Sequence, residues 1–475
     1  MTRIEHILRP GLIALLGVVA ILGAAGVTQA DVFHQPSTAK YAVTIVGPLV
    51  LATLLVVNNP LAVLTALFIV VAPFAGFSMT FQGAHVPLLA PIVLCAGALA
   101  SVSGGRPARR SDLFPAGIFF MILLVLPVIE SPSRTDVVAD LISLCAAGYF
   151  ASRVARTGHG LVTLAWAFVA SAGVQSAIAV WESKTGHRLN LYGAAGTQSF
   201  GSSYFFTYAN QTRPPGAFYD PDSLGNVLAI ALPIDVGLVI HYTMRRHWHQ
   251  VAVALGAFAL IAIGLEITLA RMSWIGAAVG LFMVLALVPE FGRRIVPMLV
   301  LAAVLLIGLG VFGGQSTTLQ RLGSITHPLT ETDTGNGDIL RVAVWREALA
   351  IAEQHPIAGV GLGESANLIS QKLAAAGTSG QGGNAQSVYL QLFAEGGLLA
   401  VCGLIAVLIA LGRDLFRFVG TERIWGAALA GASVAMLTCW LTDVTIRYSG
   451  VAVCMGVIFG IVAGGSRGSP EAVAR

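Results

Sequence analysis

The chain has 475 residues, of which 56% are hydrophobic and 11% charged, and its formal net charge is +4. Soluble domains carry roughly 25% charged residues, and a soluble fold with a mean hydropathy of +0.80 could not cover its apolar surface with polar groups. The composition therefore excludes a soluble enzyme and predicts an all-α, polytopic integral membrane protein. The small net charge and the lack of a basic run give no indication of a nucleic-acid partner. The five cysteines lie in apolar segments without a CxxC pair, which is typical of packing residues and predicts no metal site.

Apolar runs long enough to cross the hydrocarbon core, about 20 residues each, recur along the chain and predict about fourteen transmembrane helices. They cover residues 11–30, 41–57, 61–81, 86–103, 113–129, 137–154, 160–181, 224–243, 249–269, 272–288, 295–313, 388–411, 424–443 and 448–464. The first run follows Arg3 and Arg9 and ends near a sequence that resembles a cleavage site, so a signal peptide is one interpretation. We favour an uncleaved first helix, because the charge distribution is consistent with that helix in place.

The Lys and Arg residues set the predicted orientation, because cytoplasmic loops of membrane proteins carry an excess of both. With the N-terminus in the cytoplasm, the cytoplasmic segments hold sixteen of the 27 Lys and Arg, and the short connections on the other side hold four. The remaining seven lie in two long connections, 182–223 and 314–387. We therefore predict cytoplasmic termini and an extracytoplasmic position for both long connections.

These two connections divide the chain into five parts. They are an N-terminal transmembrane bundle at 1–181, a first extracytoplasmic loop at 182–223, central transmembrane helices at 224–313, a second extracytoplasmic loop at 314–387, and C-terminal transmembrane helices with a cytoplasmic tail at 388–475. Loops of this length are commonly functional, and we expect them to carry short helices. No sequence repeat relates the two halves, which disfavours a transporter built from inverted repeats.

Arginines near the ends of the predicted spans are the first candidates for chemistry. Arg213 opens an Arg-Pro-Pro-Gly-Ala-Phe-Tyr-Asp-Pro-Asp-Ser stretch just before a span. Asp222 and Ser223 of that stretch can cap the next helix, but capping does not explain Arg213. Arg271 lies in a Thr-Leu-Ala-Arg-Met-Ser-Trp turn between two spans, where an Arg is costly unless it reaches the headgroups or an anionic partner such as Glu266.

The second long loop is predicted to contain an amphipathic helix over 338–353, in which Arg341 and Trp345 lie one turn apart on the same face. A Gly-Val-Gly-Leu-Gly stretch at 359–363 then precedes a second helix over 364–376. Glycines that open a helix expose backbone N–H groups that can bind anions. This spacing is weak evidence alone, and without a preceding strand it does not indicate a nucleotide fold.

The next span opens with Gln386-Ser387-Val-Tyr-Leu-Gln-Leu-Phe-Ala-Glu395-Gly-Gly. A carboxylate inside an apolar helix start is costly, so Glu395 is a candidate functional group. The structural alternative is that Glu395 bonds to the backbone of a neighbouring helix or loop.

Taken in order, these stretches resemble the O-antigen ligase and O-antigen polymerase superfamily of bacterial membrane glycosyltransferases. The likeness covers roughly 205–445, while the first six spans match only in hydrophobicity. It rests on a series: Arg-Pro-x-Gly-x-Phe before a span, Thr-x-x-Arg at an outside turn, then Arg-x-x-x-Trp-x-x-Ala-Leu, Pro-x-x-Gly-x-Gly-x-Gly and Tyr-Leu-Gln-x-x-x-Glu-x-Gly. Each motif alone is weak, and the specificity comes from their order.

The resemblance implies that a glycan moves from an undecaprenyl-diphosphate carrier to an acceptor sugar, at the outer face of the bacterial cytoplasmic membrane, in surface polysaccharide assembly. No cofactor, metal or nucleotide sugar is implied. The acceptor is lipid A-core in ligases and another carrier-linked unit in polymerases, and a chain-length regulator is a further candidate partner. By motif, Arg271 and Arg341, with Arg213 as a weaker third, are expected to bind the diphosphate, because a guanidinium binds phosphate oxygens bidentately and stabilises the leaving group.

One position departs from the family pattern. Family ligases carry a His-Asn pair just before the Tyr-Leu, and that His is regarded as the base for the acceptor hydroxyl; here the pair is Gln386-Ser387. A Gln side chain cannot accept a proton at neutral pH. The candidate catalytic residues are therefore Gln386 as a hydrogen-bond partner of a sugar hydroxyl, Glu395, and Asp443, which roughly matches a family acid. Further substitutes for the base are Asp222, His327 and His355.

Three functions remain open at this point. A glycan transferase is the leading interpretation, and the missing His favours a polymerase over a ligase. A transporter or flippase of lipid-linked glycans would predict charges along the spans, where Asp140 and Asp235 are the main cases. A catalytically inactive scaffold is the third interpretation, for which Gln386 is the best argument.

The predicted orientation can be tested with reporter fusions. We expect a fusion at Gly335 to report the extracytoplasmic side and one at Gly420 to report the cytoplasm, because they lie on opposite sides of the predicted charge asymmetry. Signals from the same side would contradict the orientation.

Overall fold

The structure is a computed structural model, and it describes the chain in segments. They are residues 61–62, 65–66, 69, 78–81, 84–87, 113, 116–118, 120, 135–157, 159–185, 207–208, 211–218, 220–290, 337–375, 384–444 and 449–465. The predicted first helix, the predicted span 295–313 and His327 lie outside these residues.

Helices dominate the described residues, which confirms the helical fold class. They are α1 (Thr135–Val154), α2 (Gly160–Thr185), α3 (Pro221–Met244), α4 (Trp248–Ile267), α5 (Arg271–Leu287), α6 (Gly337–Gln354), α7 (Glu364–Ala375), α8 (Val388–Thr421), α9 (Arg423–Cys439) and α10 (Ser449–Gly465). All helices except α6 and α7 coincide with predicted spans. Their ends agree to within about three residues, apart from the C-terminal ends of α2, α8 and α9. Four of them, α2, α3, α4 and α8, are long and apolar enough to cross a membrane.

Two short antiparallel hairpins accompany the helices. Strands β1 (Ser78–Phe81) and β2 (Ala84–Pro87) pair with each other, so the predicted spans 61–81 and 86–103 are wrong at their facing ends. Strands β3 (Thr207–Tyr208) and β4 (Gln211–Thr212) form the second hairpin, inside the first long connection. Hydropathy does not distinguish a short apolar strand from the end of an apolar helix, which explains the error at 78–87.

The helix bundle is held together by close backbone contacts at glycines. A Cβ added at Gly280 of α5 would lie 2.6 Å from the carbonyl oxygen of Gly431 of α9, and one at Gly460 of α10 would lie 2.1 Å from that of Gly148 of α1. Small residues of this kind let membrane helices approach to van der Waals contact. Such packing matters in a membrane, because lipid tails are as apolar as side chains and no hydrophobic effect drives the helices together. Helix α3 lies at the centre, since its membrane-spanning window is entirely buried.

The two ends of the bundle differ in chemistry. At one end Arg423 bonds to the carbonyl oxygen of Leu287 at 2.9 Å and to Glu290 at 2.8 Å, while the ring of His241 lies 5.3 Å from that of Trp425. The ends of α3 and α5 and the start of α9 therefore meet there. The opposite end carries the start of α3, the start of α5, and α6, and it holds the polar cluster described next.

Candidate active site

The first turn of α3 presents two acidic side chains with different tasks. Asp220 caps the helix, because its Oδ1 accepts the backbone N–H of Ser223 at 2.6 Å and Pro221 follows at the first helical position. The helix thus starts three residues earlier than predicted, and Asp220, not Asp222, is the cap. Asp222 is left to face the polar cluster, with its side chain 31% exposed.

Arg213 approaches Asp222 from the first long connection. Its Nη2 donates to Asp222 Oδ1 at 2.6 Å, and its Nε donates to the carbonyl oxygen of Thr268 at 2.8 Å. The Arg213 side chain is only 10% exposed, so its charge is balanced by Asp222 in a largely desolvated setting. A buried Arg with both ends of its guanidinium engaged is a fixed charge and not a mobile surface residue.

Helix α2 holds the loop that carries Arg213. The backbone N–H of Gly216 donates to Glu182 Oε2 at 3.0 Å, and that of Ala217 donates to Gln175 Oε1 at 2.9 Å. Gly216 has a φ of 60°, and a Cβ there would lie 3.0 Å from Gln175 Oε1. Both acceptors are buried, so the Pro-Pro-Gly-Ala turn is fixed to the bundle and Arg213 with it.

Arg341 approaches the same carboxylate from the second long connection. Its Nη2 lies 3.4 Å from Asp222 Oδ2, and its Nε donates to Gln386 Oε1 at 3.1 Å. Trp345, one turn further along α6, donates its Nε1–H to the carbonyl oxygen of Gln386 at 3.3 Å. The predicted shared face of Arg341 and Trp345 is confirmed, and both side chains bind the same residue.

Asp222 therefore bridges two guanidinium groups that are 128 residues apart in the chain. Each of its oxygens takes one arginine. The Arg341 side chain is 22% exposed, so part of it remains open to an approaching ligand. Two cations held on one carboxylate make this end of the bundle attractive to an anion with several oxygens.

Asp443 lies beside this bridge, beyond the end of α9. Asn226 of α3 donates to its Oδ2, the N–H of Val444 donates to its Oδ1 at 2.7 Å, and Ser273 of α5 donates to Asn226 Oδ1 at 2.8 Å. Burial, followed by the charges of Asp220 and Asp222, raises the pKa of Asp443 well above its ordinary value. Burial and the charge of Asp222 likewise raise the pKa of Asp220. A carboxyl with a raised pKa is better matched to proton transfer near neutral pH.

Arg271 is the first residue of α5 and follows the turn Thr268–Ala270. The carbonyl oxygen of Thr268 in that turn accepts the hydrogen bond from Arg213 Nε, and Leu269 adopts a left-handed φ of 54°. Ser273, two residues after Arg271, belongs to the hydrogen-bonded series that ends at Asp443. The turn thus brings the backbone at Arg271 to the end of the bundle that carries Arg213 and Asp443.

Glu395 lies in a separate buried cluster within α8, and it is 1% exposed. Ser365 of α7 donates to its Oε1 at 2.9 Å, and Gln391 donates to the same oxygen. The carboxylate stands seven residues into α8, about 10 Å along the helix axis from its start. Both of these hydrogen bonds come from side chains and end on the same carboxylate oxygen.

The Gly-x-Gly-x-Gly stretch packs against the same part of α8. Val360 and Gly361 donate their N–H groups to the carbonyl oxygens of Ala394 and Glu395, at 3.0 and 2.8 Å. A Cβ at Gly359 would lie 2.3 Å from the carbonyl carbon of Glu395, and Gly397 kinks α8 with a φ of 59°. These N–H groups bind helix carbonyls, so those of Val360 and Gly361 are not available to an anion.

His355 is exposed at the far end of α6. It follows Arg341 by fourteen residues, which is about 21 Å along a helix. His355 is therefore placed away from the arginine bridge. Of the other candidates for the base, Asp222 belongs to the bridge and Asp443 lies beside it.

Residues 256–405 match the family model described as O-antigen ligase. This part of the chain is similar to O-antigen ligases. The resemblance recognised from the ordered motifs is confirmed over these residues. No curated protein matches the sequence.

The region that matches the family model contributes Arg271, Arg341 and Gln386, while Arg213, Asp222 and Asp443 come from outside the matched residues. Sequence reasoning named all six, but it did not find the residues that hold them. Asn226, Gln175 and Glu182 lack a local motif. Only the presence of polar residues inside apolar helices, two of them seven residues apart in α2 and one in α3, could have drawn attention to them.

Proposed function

We propose that this protein transfers a glycan from an undecaprenyl-diphosphate carrier to the hydroxyl of an acceptor sugar during surface polysaccharide assembly. The observation that carries the proposal is the convergence of Arg213 and Arg341 on Asp222, with Asp443 beside them. Fixed cations and a carboxyl with a raised pKa are the groups that such a transfer needs. The match to the O-antigen ligase family model supports the reaction class.

In the proposed reaction, the acceptor oxygen forms a bond to the anomeric carbon of the donor while the bond from that carbon to the diphosphate oxygen breaks. The electron pair of the broken bond stays on the diphosphate, which leaves as the carrier lipid diphosphate. Arg341 and Arg271 are proposed to bind that diphosphate, and Arg213 supports them through Asp222. Guanidinium groups aimed at the leaving oxygens stabilise the charge that develops in the transition state.

Asp443 is the proposed acceptor of the proton from the attacking hydroxyl. Gln386 cannot take that role, and its side-chain oxygen instead accepts from Arg341. Asp222 is a poor base while it bridges two arginines, since both stabilise its charged form. Asp443 has no direct arginine bond of this kind among the described contacts, and its pKa is raised.

The site is proposed to face the extracytoplasmic side of the bacterial cytoplasmic membrane. Arg245, Arg246 and Arg423 lie at the opposite end of the bundle from Asp222 and Asp443. An excess of basic residues marks the cytoplasmic end of membrane helices. A lipid-linked donor would then reach the arginines from the outer leaflet.

A polymerase remains our preferred type, with another carrier-linked unit as the acceptor, because the family His is replaced by Gln386. Purified protein in liposomes, given a lipid-linked donor, should extend a second carrier-linked unit. Transfer to lipid A-core instead would identify a ligase. Movement of the donor across the bilayer without a new glycosidic bond would identify a transporter or flippase, and no turnover at all would favour a scaffold.

Replacing Arg341 tests the proposed diphosphate contact. We expect Arg341→Ala and Arg271→Ala each to abolish transfer in liposomes while the protein stays inserted, and Arg271→Lys to recover little, because a point charge does not reproduce the guanidinium fork. Arg346→Ala is the matched control, since Arg346 lies on the exposed side of the same helix as Arg341. Wild-type transfer rates in either Ala variant would remove that arginine from the account.

The pH dependence tests Asp443. The charged form is the base, so transfer should be lost as the pH falls through its pKa, and the acid limb should lie above the value of about 3.9 for an ordinary Asp. Asp443→Asn should lose about 10²–10⁴-fold in rate. Asp220→Asn keeps a good capping residue but removes a charge that raises the pKa of Asp443, so its acid limb should move to lower pH. An unchanged limb in Asp220→Asn, together with an active Asp443→Asn, would exclude Asp443 as the base.

A further inference from the structure

We propose that Gln391 is a positioning residue, a buried amide that fixes the segment 385–387 so that Gln386 can orient Arg341. The inference rests on the proposed transfer function and adds to it a residue that no diphosphate or sugar needs to touch. Gln391 lies in the first turns of α8 and is 1% exposed, so its side chain acts through protein contacts.

Gln391 uses both ends of its amide. Its Oε1 accepts the backbone N–H of Ala385 at 2.7 Å, and its Nε2 donates to Ser365 Oγ at 2.7 Å and to Glu395 Oε1. Ala385 directly precedes Gln386, and its N–H finds its acceptor in the Gln391 side chain. A single side chain therefore links the loop before α8 to the buried cluster inside it.

Gln386 needs such support because its backbone is strained. Its φ is 51°, in the left-handed region that side-chain-bearing residues rarely adopt. Such a conformation persists only where the surroundings determine it. On one side Gln391 holds Ala385, and on the other Val388 donates its N–H to the carbonyl oxygen of Trp440 at 3.0 Å.

With both neighbours fixed, Gln386 presents two acceptors to α6. Its side-chain oxygen accepts Arg341 Nε at 3.1 Å, and its carbonyl oxygen accepts Trp345 Nε1 at 3.3 Å. These bonds set the direction of the Arg341 guanidinium. Loss of the Gln391 acceptor would free the N–H of Ala385 and let Gln386 leave its left-handed φ. The hydrogen bond from Arg341 Nε to Gln386 Oε1, which orients the guanidinium, would then weaken.

Glu395 decides which way the Gln391 amide faces. A carboxylate only accepts, so the NH₂ group of Gln391 must point towards Glu395 and its oxygen towards Ala385. Glu395 is accordingly a second positioning residue, which acts through Gln391. This role explains why a costly buried carboxylate is bonded to Ser365 and Gln391.

A double-mutant cycle tests the inference in the liposome transfer assay. We expect Gln391→Met, which keeps the length of the side chain but loses the acceptor, to lose about tenfold in rate, the upper range for one neutral hydrogen bond. The Gln386→Ala, Gln391→Met double variant should lose no more than about the larger single loss, because both act through Arg341. Tyr389→Phe is the matched control. It removes the hydrogen bond from the Tyr389 hydroxyl to the carbonyl oxygen of Leu437, in the same first turns of α8, without removing a partner of Ala385, Gln391 or Glu395, so it should lower the thermal midpoint while its rate stays within about twofold of wild type.

Should Gln391→Met not fold, Glu395→Gln serves as the second variant, since it lets the Gln391 amide turn without a change in size. The same lack of additivity with Gln386→Ala is expected. Multiplicative losses in the cycle, or a rate loss in Tyr389→Phe equal to that of Gln391→Met, would overturn the positioning role and leave only a packing role. A wild-type protein that transfers no glycan would overturn the proposed function itself, and the inference with it.

Discussion

The bridge between Asp222 and the two arginines is the interaction on which the rest of the site depends. Each arginine comes from a different long connection, and the carboxylate comes from the first turn of α3, whose membrane-spanning window is entirely buried. Bringing two cations to one place in a largely apolar protein is unfavourable unless an anion lies between them. Asp222 supplies that anion, and it fixes the geometry before any substrate arrives.

The loop that carries Arg213 and the segment that contacts Arg341 are held in the same way. In each of them a Gln from a long apolar helix accepts the backbone N–H of an alanine in the loop, Gln175 for Ala217 and Gln391 for Ala385. A buried carboxylate accompanies each Gln. The helix interior thus provides the acceptors that an irregular backbone needs where it is buried away from water. Gln175, Glu182 and Gln391, which look costly inside a span, are explained by the loops they hold.

The sequence predicted the helical class, the ends of most described spans and six residues of the polar cluster, because hydropathy and ordered motifs are local signals. It misassigned the cap of α3, since Asp220 and Asp222 both suit a helix start and only geometry separates them. It placed Glu395 among the catalytic candidates because a buried carboxylate is conspicuous. The structure shows Ser365 and Gln391 as its partners, and contacts of this kind between distant elements leave no periodic pattern. The hairpin at 78–87 was missed because its strands of four residues each adjoin long apolar runs and are too short to show a period of their own.

The most direct test of the central claim is a structure of the protein with an undecaprenyl-diphosphate analogue bound, in a lipid environment. The account predicts diphosphate oxygens within hydrogen-bond distance of the Arg341 and Arg271 guanidinium groups, with Arg213 still on Asp222 and the anomeric position facing Asp443. A diphosphate bound elsewhere, with Arg341 still bonded only to Asp222 and Gln386, would contradict it.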